Sequence, residues 1–150
     1  MRAAWLLVFA CVSAAAADPE APARRSYVVE GDAIASSLTG RPGDASKGAQ
    51  LIQQRQKSLC VLCHLGPFPD PHLQGTIAPD LTGIGARLSA AQLRLRIVDM
   101  KRLNPESIMP TYYAAATDNP EARVGAQLRG KPILDAAEIE DLVAYLQTLQ

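Results

Sequence analysis

The sequence predicts an all-α fold, and three observations support that prediction. Three stretches of the chain repeat apolar residues at the three- and four-residue intervals of a helix. Two of them begin with a capping box, a pair of polar side chains three residues apart that bond the first backbone N–H groups of a helix. No stretch of useful length alternates apolar and polar residues as a strand would, and the sequence has no internal repeat.

The first predicted helix covers residues 44–56. Asp44 follows Pro42 and Gly43 and is placed to act as the N-cap. The residues that share its apolar face are Ala45, Ala49 and Ile52. Gly48 lies beside that face, where a glycine costs about 1 kcal/mol relative to alanine. We therefore expect another helix to approach closely at Gly48.

The second predicted helix covers residues 89–103, and Asn104 and Pro105 end it. Ser89 and Gln92 are spaced as a capping box, in which each side chain bonds a backbone donor near the other residue. The apolar stripe of this helix consists of Leu93, Ile97 and Met100. The basic residues expected to be solvated are Arg94, Lys101 and Arg102.

The third predicted helix is the best defined. Asp135 and Glu138 form a capping box of carboxylates at its start. An unbroken apolar stripe follows, made of Ile139, Leu142, Val143, Leu146 and Leu149. Such a stripe has to be buried, and the first helix with its Gly48 is the expected partner.

Residues 1–17 are predicted to be a secretory signal peptide with cleavage near Ala17. One positive charge, a short apolar run and small residues before the cleavage point follow the order of such a segment. The apolar run is shorter than the roughly 20 residues of a membrane-spanning helix, so no span is expected after cleavage; a retained anchor is the alternative. Residues 18–43, rich in Pro, Gly and small polar residues, are predicted to form an N-terminal arm, and residues 44–150 one compact domain.

The charge of the chain is balanced, with 15 Lys and Arg against 15 Asp and Glu. Loss of residues 1–17 removes one arginine, so that 14 basic residues face 15 acidic ones and the net charge is about −1. That balance argues against nucleic-acid binding and against a polybasic membrane surface. Cys11 would leave with the signal peptide, and only Cys60 and Cys63 would remain.

Cys60, Cys63 and His64 have the C-x-x-C-H spacing of covalent haem attachment. Two thiols three positions apart can reach the two vinyl groups of one porphyrin, and the next histidine is then placed beneath the iron. One haem c with His64 as proximal ligand is therefore predicted. A zinc site that adds His72 is disfavoured because His64 directly follows Cys63, which makes tetrahedral closure awkward. His72 is expected to be a solvated loop histidine, and a thioredoxin-like dithiol lacks its alternating strand and helix pattern.

The second ring nitrogen of His64 needs a hydrogen-bond acceptor, because that bond fixes the tautomer of a ligating imidazole. The backbone carbonyl of Pro79, in a segment flanked by Gly75 and Gly83, is the candidate acceptor. An ordinary loop proline is the alternative.

Met109 is the candidate for the sixth iron ligand. It lies in a loop bounded by Pro105 and Pro110, where a thioether can be held against iron. Met100 lies instead on the apolar stripe of the second helix, where methionine usually packs in the core. A His/Met pair favours ferrous iron and fills both axial positions. Such an iron passes single electrons and is not built to activate oxygen.

The order of helix, haem motif, proline loop, methionine loop and terminal helix resembles the class I cytochrome c fold. A closer likeness is carried by residues 31–34, 38–40, 42–44, 60–64, 66–67, 78–81, 92–99, 103–105, 108–110, 112–113, 130–132 and 140–146. In these segments the chain resembles the SoxX family, the mono-haem subunit of the SoxAX sulfur-oxidation cytochrome. The resemblance spans about residues 27–149. Its specific parts are Gly-Asp-Ala-Ile in the arm and the stretch from Asn-Pro to Met-Pro-x-Tyr-Tyr.

The resemblance implies a cytochrome c domain at residues 44–150, with about three main helices around one covalently bound haem, and an arm with extended loops. It implies Cys60 and Cys63 as thioether anchors and His64 and Met109 as axial ligands. It also implies a periplasmic heterodimer with a SoxA-type cytochrome. That complex oxidatively joins thiosulfate to a carrier cysteine on SoxYZ, while the SoxX haem takes electrons from the SoxA haem toward a soluble cytochrome acceptor. The chain would be an electron-transfer subunit of an enzyme of the L-cysteine S-thiosulfotransferase type, without catalytic residues of its own.

Two other functions stay open at the level of the sequence. A free-standing electron carrier needs neither the 18–43 arm nor the long 111–133 connection, and we expect those segments to cover a partner. A haem sensor or peroxidase requires an open sixth position on the iron. Arg87 and Arg96 are candidates for contacts with the haem propionates, with solvated surface charge as the alternative.

Overall fold

The computed structural model describes residues 26–114 and 130–150 of the chain. The helices in those ranges are α1 (Ala45–Leu51), α2 (Cys60–Cys63), α3 (Ile84–Arg87), α4 (Ala90–Asp99) and α5 (Ala136–Thr148), with 3-10 turns at Pro71–Leu73 and Met100–Arg102. The same ranges contain no strand, only an isolated bridge between Glu30 and Ala33. The all-α prediction is therefore confirmed. The predicted signal peptide, and residues 115–129 of the long connection, lie outside the described residues.

Helix α5 begins with the predicted capping box. The Asp135 carboxylate accepts the Glu138 N–H at 2.9 Å, and the Glu138 carboxylate accepts the Asp135 N–H at 3.0 Å. The buried residues of this helix are Ile139, Glu140, Leu142, Val143 and Leu146. The predicted apolar stripe thus faces the core, with Glu140 as an unforeseen charged member.

Helices α1 and α5 cross in direct contact at Gly48, as predicted. A Cβ atom added to Gly48 would lie 2.0 Å from the carbonyl oxygen of Asp141 and 2.7 Å from Cβ of Tyr145. Only glycine therefore permits this approach, and the loss of helix propensity at Gly48 is offset by the packing of α5.

Helix α1 is shorter than predicted and ends at Leu51 rather than near residue 56. The chain then turns, and the hydroxyl of Ser58 lies within hydrogen-bonding distance of the carbonyls of Ile52 at 3.2 Å and Gln54 at 3.3 Å. The Gln54 carbonyl also accepts the backbone N–H of Ser58 at 2.9 Å. Ser58 is fully buried, so this turn belongs to the core.

Helix α4 has the predicted Ser89–Gln92 capping box, but its α-helical part ends at Asp99. Asp99 leaves the helical conformation with φ −161°, and its carboxylate accepts the N–H of Lys101 at 3.2 Å. The chain continues as the tighter 3-10 turn to Arg102. The stretch predicted as one helix to residue 103 is therefore an α-helix followed by a 3-10 turn.

Arg94 is buried, which corrects the prediction that it is solvated. It is 6% exposed and pairs with Glu140, which is 2% exposed. Nε donates to Oε1 at 2.7 Å and Nη2 to Oε2 at 2.9 Å. The prediction was wrong because the partner lies 46 residues away along the chain, where no local pattern can reveal it.

Residues 26–43 lie against the helical domain and contribute Ile34 and Leu38 to its core. The N–H of Ile34 donates to Ala91 in α4 at 3.0 Å, and the carbonyl of Ile34 accepts from Nη1 of Arg94 at 2.6 Å. The N–H of Leu38 donates to the Glu140 carboxylate at 2.8 Å. The buried ion pair thus fastens the arm to α4 and α5.

Candidate haem site

The two cysteines and the histidine of the C-x-x-C-H motif are brought together by one helical turn. Helix α2 spans Cys60–Cys63, so its terminal side chains lie three residues apart on one face. His64 follows in an extended conformation, and its N–H donates to the Cys60 carbonyl at 2.9 Å. Leu59 starts the turn with a left-handed φ of 62°, an uncommon conformation for a residue with a side chain.

Both thiols of the motif are free and half-buried. Burial raises the pKa of the Cys60 thiol above its ordinary value, and hydrogen bonds that lower it act in the opposite direction. A pair of free thiols on one turn, followed by an imidazole, is the donor set that covalent haem attachment uses. The residues present therefore fit a haem c.

The imidazole of His64 is held by the backbone of the Pro79 loop. Its Nδ1 lies 2.7 Å from the Pro79 carbonyl oxygen, so the predicted contact is confirmed. A carbonyl can only accept, which assigns the ring hydrogen to Nδ1. The lone pair of Nε2 is then available to a metal. The hydrogen bond from Nδ1 to the carbonyl makes that lone pair a stronger ligand for the metal.

The Pro79 loop runs beside the haem motif through backbone hydrogen bonds on both sides of Pro79. These bonds are Gly75 N–H to Val61 O at 2.9 Å, Ala78 N–H to Cys63 O at 3.0 Å and Leu81 N–H to Leu65 O at 2.9 Å. Gly75 permits this approach, since a Cβ at that position would lie 1.9 Å from the Leu62 carbonyl oxygen. The acceptor of the His64 proton is therefore fixed by several contacts, not by proline rigidity alone.

Arg87 and Arg96, the candidates for contacts with propionates, both bind protein groups. Arg87 donates to the carbonyls of Asp80 and Thr82, at 3.0 Å and 2.5 Å, and so supports the loop that carries Pro79. Arg96 bonds the carboxylate of Asp32 at 3.2 Å. Propionate contacts of either arginine stay a prediction.

Met109 lies on a loop separate from the haem motif, half-buried against the core. Its N–H donates to the Ser107 hydroxyl at 3.2 Å. Its neighbour Ile108 is 76% exposed, so the loop turns Met109 inward and Ile108 outward. Met100, the competing methionine, lies at the start of a 3-10 turn after α4. The position of Met109 opposite His64 across a haem stays a prediction.

Two residues that bond the segments on either side of the haem motif were not found from the sequence. The buried hydroxyl of Tyr112 donates to the carbonyl of Ser58, two residues before Cys60. Burial raises the pKa of Tyr112 above its ordinary value, so this phenol stays a neutral donor. The Tyr-Tyr pair just after Met109-Pro110 was the available signal, but nothing in the sequence indicates that Ser58 is its partner.

A second site residue missed in the sequence is Gln74. Its side-chain oxygen accepts the Gly66 N–H at 2.9 Å, and its side-chain nitrogen donates to the Phe68 carbonyl at 3.0 Å. Gln74 therefore holds together the loop between the haem motif and Gly75. It was missed because a glutamine in a polar loop is common and does not indicate a structural role.

The zinc alternative gains no geometric support. Across residues 26–114 and 130–150, no three side chains of the His, Cys, Asp and Glu types are grouped so that they could hold a metal ion. His72 lies in the exposed Pro71–Leu73 turn. In the same two ranges no helix has the length and apolar character needed to cross a membrane.

Comparisons with known proteins agree with the geometry. The family model for cytochrome c matches residues 45–150. A chain in the crystal structure of SoxXA from P. pantotrophus is 37% identical and superposes with a TM-score of 0.71, covering 82% of this chain and 93% of that chain. No curated protein matches the chain in sequence. The chain therefore belongs to the cytochrome c family, and within it is a SoxX-type cytochrome with one covalently bound haem c.

Proposed function

We propose that this chain is the electron-transfer subunit of a periplasmic heterodimer with a SoxA-type cytochrome. The observation that carries this proposal is the similarity to a SoxXA chain over 93% of the length of that chain. The N-terminal arm gives further support, because residues 26–43 are fastened to the domain and a free-standing carrier would not need them. Residues 1–17 act as the export signal in this proposal.

Four side chains hold the cofactor in the proposed protein. Cys60 and Cys63 form thioethers to the vinyl groups, and the bonds fix the haem to helix α2. His64 presents Nε2 to the iron because Pro79 holds the Nδ1 proton. Met109 would bind the iron through its sulfur from a separate loop. When bound, the haem supplies an iron that changes between its ferric and ferrous states by one electron.

A site of this composition transfers electrons and does not bind a substrate at its metal. With His64 and Met109 both holding the iron, a substrate would find no free position on it. The Pro79 carbonyl and the backbone bonds beside it hold the His64 ring in one orientation, which would keep rearrangement small when an electron is transferred. This chain has no catalytic residue in the proposed enzyme.

In the full reaction the chain takes electrons from the SoxA haem. Those electrons come from the oxidative joining of thiosulfate to the carrier cysteine of SoxYZ, and a soluble cytochrome receives them from this chain. Contacts with SoxYZ and with that acceptor are transient.

The partner is tested by a pull-down of the tagged chain from the native periplasm, with haem staining of every band. We expect a second haem-staining polypeptide to co-purify in equal amount. A protein that stays alone and monodisperse under these conditions would contradict the heterodimer and favour a free-standing carrier.

The ligand assignment is tested by Met109→Leu, with Met100→Leu as the matched control. The ferric wild type should show a weak sulfur-to-iron charge-transfer band, which Met109→Leu removes and Met100→Leu retains. Loss of the band in Met100→Leu alone would reverse the assignment. Absence of the band from the wild type would favour a haem sensor or peroxidase with an open position.

A further inference from the structure

The side chain of Tyr112 connects the loop that carries Met109 to the turn that precedes the haem motif. Tyr112 is 3% exposed, and its hydroxyl donates to the carbonyl of Ser58, 54 residues earlier in the chain. Tyr112 lies three residues after Met109, and Ser58 two residues before Cys60. One buried hydrogen bond therefore joins the segment that follows Met109 to the turn that precedes the haem motif.

The Ser58 carbonyl is a fixed point. Ser58 is fully buried, and its own hydroxyl donates to the carbonyls of Ile52 and Gln54. Besides Tyr112, the Cys60 thiol approaches the same carbonyl at 3.4 Å. A thioether sulfur carries no hydrogen to donate. Once the haem is attached, Tyr112 is thus the one of these two donors that remains.

The segment that carries Tyr112 is also held along its backbone. The Tyr112 carbonyl accepts the Leu134 N–H at 3.1 Å, and the Tyr113 N–H donates to Val98 at 3.4 Å. The Thr111 hydroxyl donates to the Asp99 carboxylate at 3.1 Å. On the other side of Met109 the hydrogen bonds are local, such as the bond from its own N–H to the Ser107 hydroxyl. The position of the Met109 loop is therefore set from its C-terminal side.

We propose that Tyr112 is a positioning residue that holds Met109 on the haem iron by fastening the methionine loop to Ser58. This inference rests on the proposed role of Met109 as axial ligand. In this role Tyr112 acts through Met109, because its bond to Ser58 keeps the open form of the loop, in which Met109 has left the iron, rare.

An added ligand measures that open form directly. Exogenous imidazole can bind ferric iron only when Met109 has left, so its apparent dissociation constant is the intrinsic constant divided by the open fraction. Removing the Tyr112 hydroxyl leaves the buried Ser58 carbonyl without this donor in the closed form. The open fraction then rises, and imidazole binds more tightly.

The experiment is a Soret titration of ferric holoprotein with imidazole at neutral pH. For Tyr112→Phe we expect the apparent dissociation constant to fall about tenfold relative to wild type. The control Tyr145→Phe removes the hydroxyl of a half-buried tyrosine on α5 and should keep the wild-type constant. An unchanged constant in folded Tyr112→Phe, even with lowered stability, would overturn the inference. An equal fall in Tyr145→Phe would overturn it too, because loosening would then be general.

Two further variants complete the test. If Tyr112→Phe does not fold, Thr111→Val removes the neighbouring anchor to Asp99 and should lower the constant about threefold; an unchanged constant there overturns the inference. Met109→Leu should bind imidazole far more tightly than any other variant, because no methionine competes. Wild-type affinity in Met109→Leu would instead overturn the ligand assignment, so the two failures are distinguishable.

Discussion

At the scale of single residues, the haem site depends on how close two backbones can come. The Pro79 carbonyl reaches His64 because Gly75 lets its loop run against the haem motif. The oxygen of Leu62 occupies the space where a side chain at residue 75 would begin. A residue with no side chain thus permits the contact that fixes the tautomer of His64, the predicted iron ligand.

The variant Gly75→Ala tests this close approach. Its Cβ would lie 1.9 Å from the Leu62 carbonyl oxygen, so the loop or the haem motif has to shift. We expect a smaller fraction of the chain to carry haem and a loss of about 1–3 kcal/mol in the free energy of unfolding. Intact mass and urea unfolding measure the two effects. The exposed neighbour Thr76→Ala is the control; equal behaviour of both variants would show that Gly75 has no special role.

At the scale of secondary structure elements, α1 and α5 form the contact on which the domain is built. Helix α5 packs against α1, α3 and α4, and its apolar stripe supplies much of the core. Helix α1 is only seven residues long and would be unstable alone. Its helical conformation is maintained by the Asp44 cap and by the packing of α5 at Gly48.

Gly48→Ala separates helix propensity from packing. In an isolated helix the alanine would add about 1 kcal/mol of stability. In the protein its Cβ would lie 2.0 Å from the Asp141 carbonyl oxygen, so we expect a net loss of about 1–3 kcal/mol in urea unfolding. The exposed Lys47→Ala should change stability by less than about 0.5 kcal/mol. A Gly48→Ala protein that is more stable than wild type would show that α1 and α5 can move apart without cost.

At the scale of the whole molecule, one buried ion pair connects three parts of the chain. Arg94 in α4 and Glu140 in α5 bond each other, and each also bonds the backbone of the arm. No buried side-chain nitrogen or oxygen in the described ranges lacks a partner, so the network is complete there. Breaking such a pair leaves an uncompensated buried charge, which costs far more than loss of a surface pair.

Glu140→Gln removes one charge while keeping the shape of the side chain. We expect a loss of about 3 kcal/mol in urea unfolding, because the Arg94 guanidinium stays buried without a counter-charge. Faster hydrogen exchange at the amides of Ile34 and Leu38 should accompany it, since both belong to the fastened arm.

The control for this variant is Arg102→Ala. Arg102 lies 3.7 Å from Asp99 with a side chain 64% exposed, and its removal should cost less than about 1 kcal/mol. If Glu140→Gln costs no more than this control, the buried pair does not stabilise the molecule as a whole.

The elements whose signals are local could be predicted from the pattern of amino acids. The haem motif is five adjacent residues, the two capping boxes are four-residue patterns, and the stripe of α5 repeats at helical spacing. The expected acceptor at Pro79 and the contact at Gly48 could also be predicted, because proline and glycine restrict or free the backbone wherever they occur.

Contacts between distant segments could not be predicted from the sequence and are known only from the tertiary structure. From the sequence, Arg94 is expected to be a surface charge, and only the fold shows that it pairs with Glu140. Likewise, only the fold shows that the Tyr112 hydroxyl bonds the carbonyl of Ser58. The end of α1 at Leu51 was not predicted either, and the Ser58 hydroxyl bonds the Ile52 carbonyl just beyond it. The hydrogen-bond partners of buried polar groups depend on proximity in three dimensions, whereas helices and their caps depend on the spacing of residues along the chain.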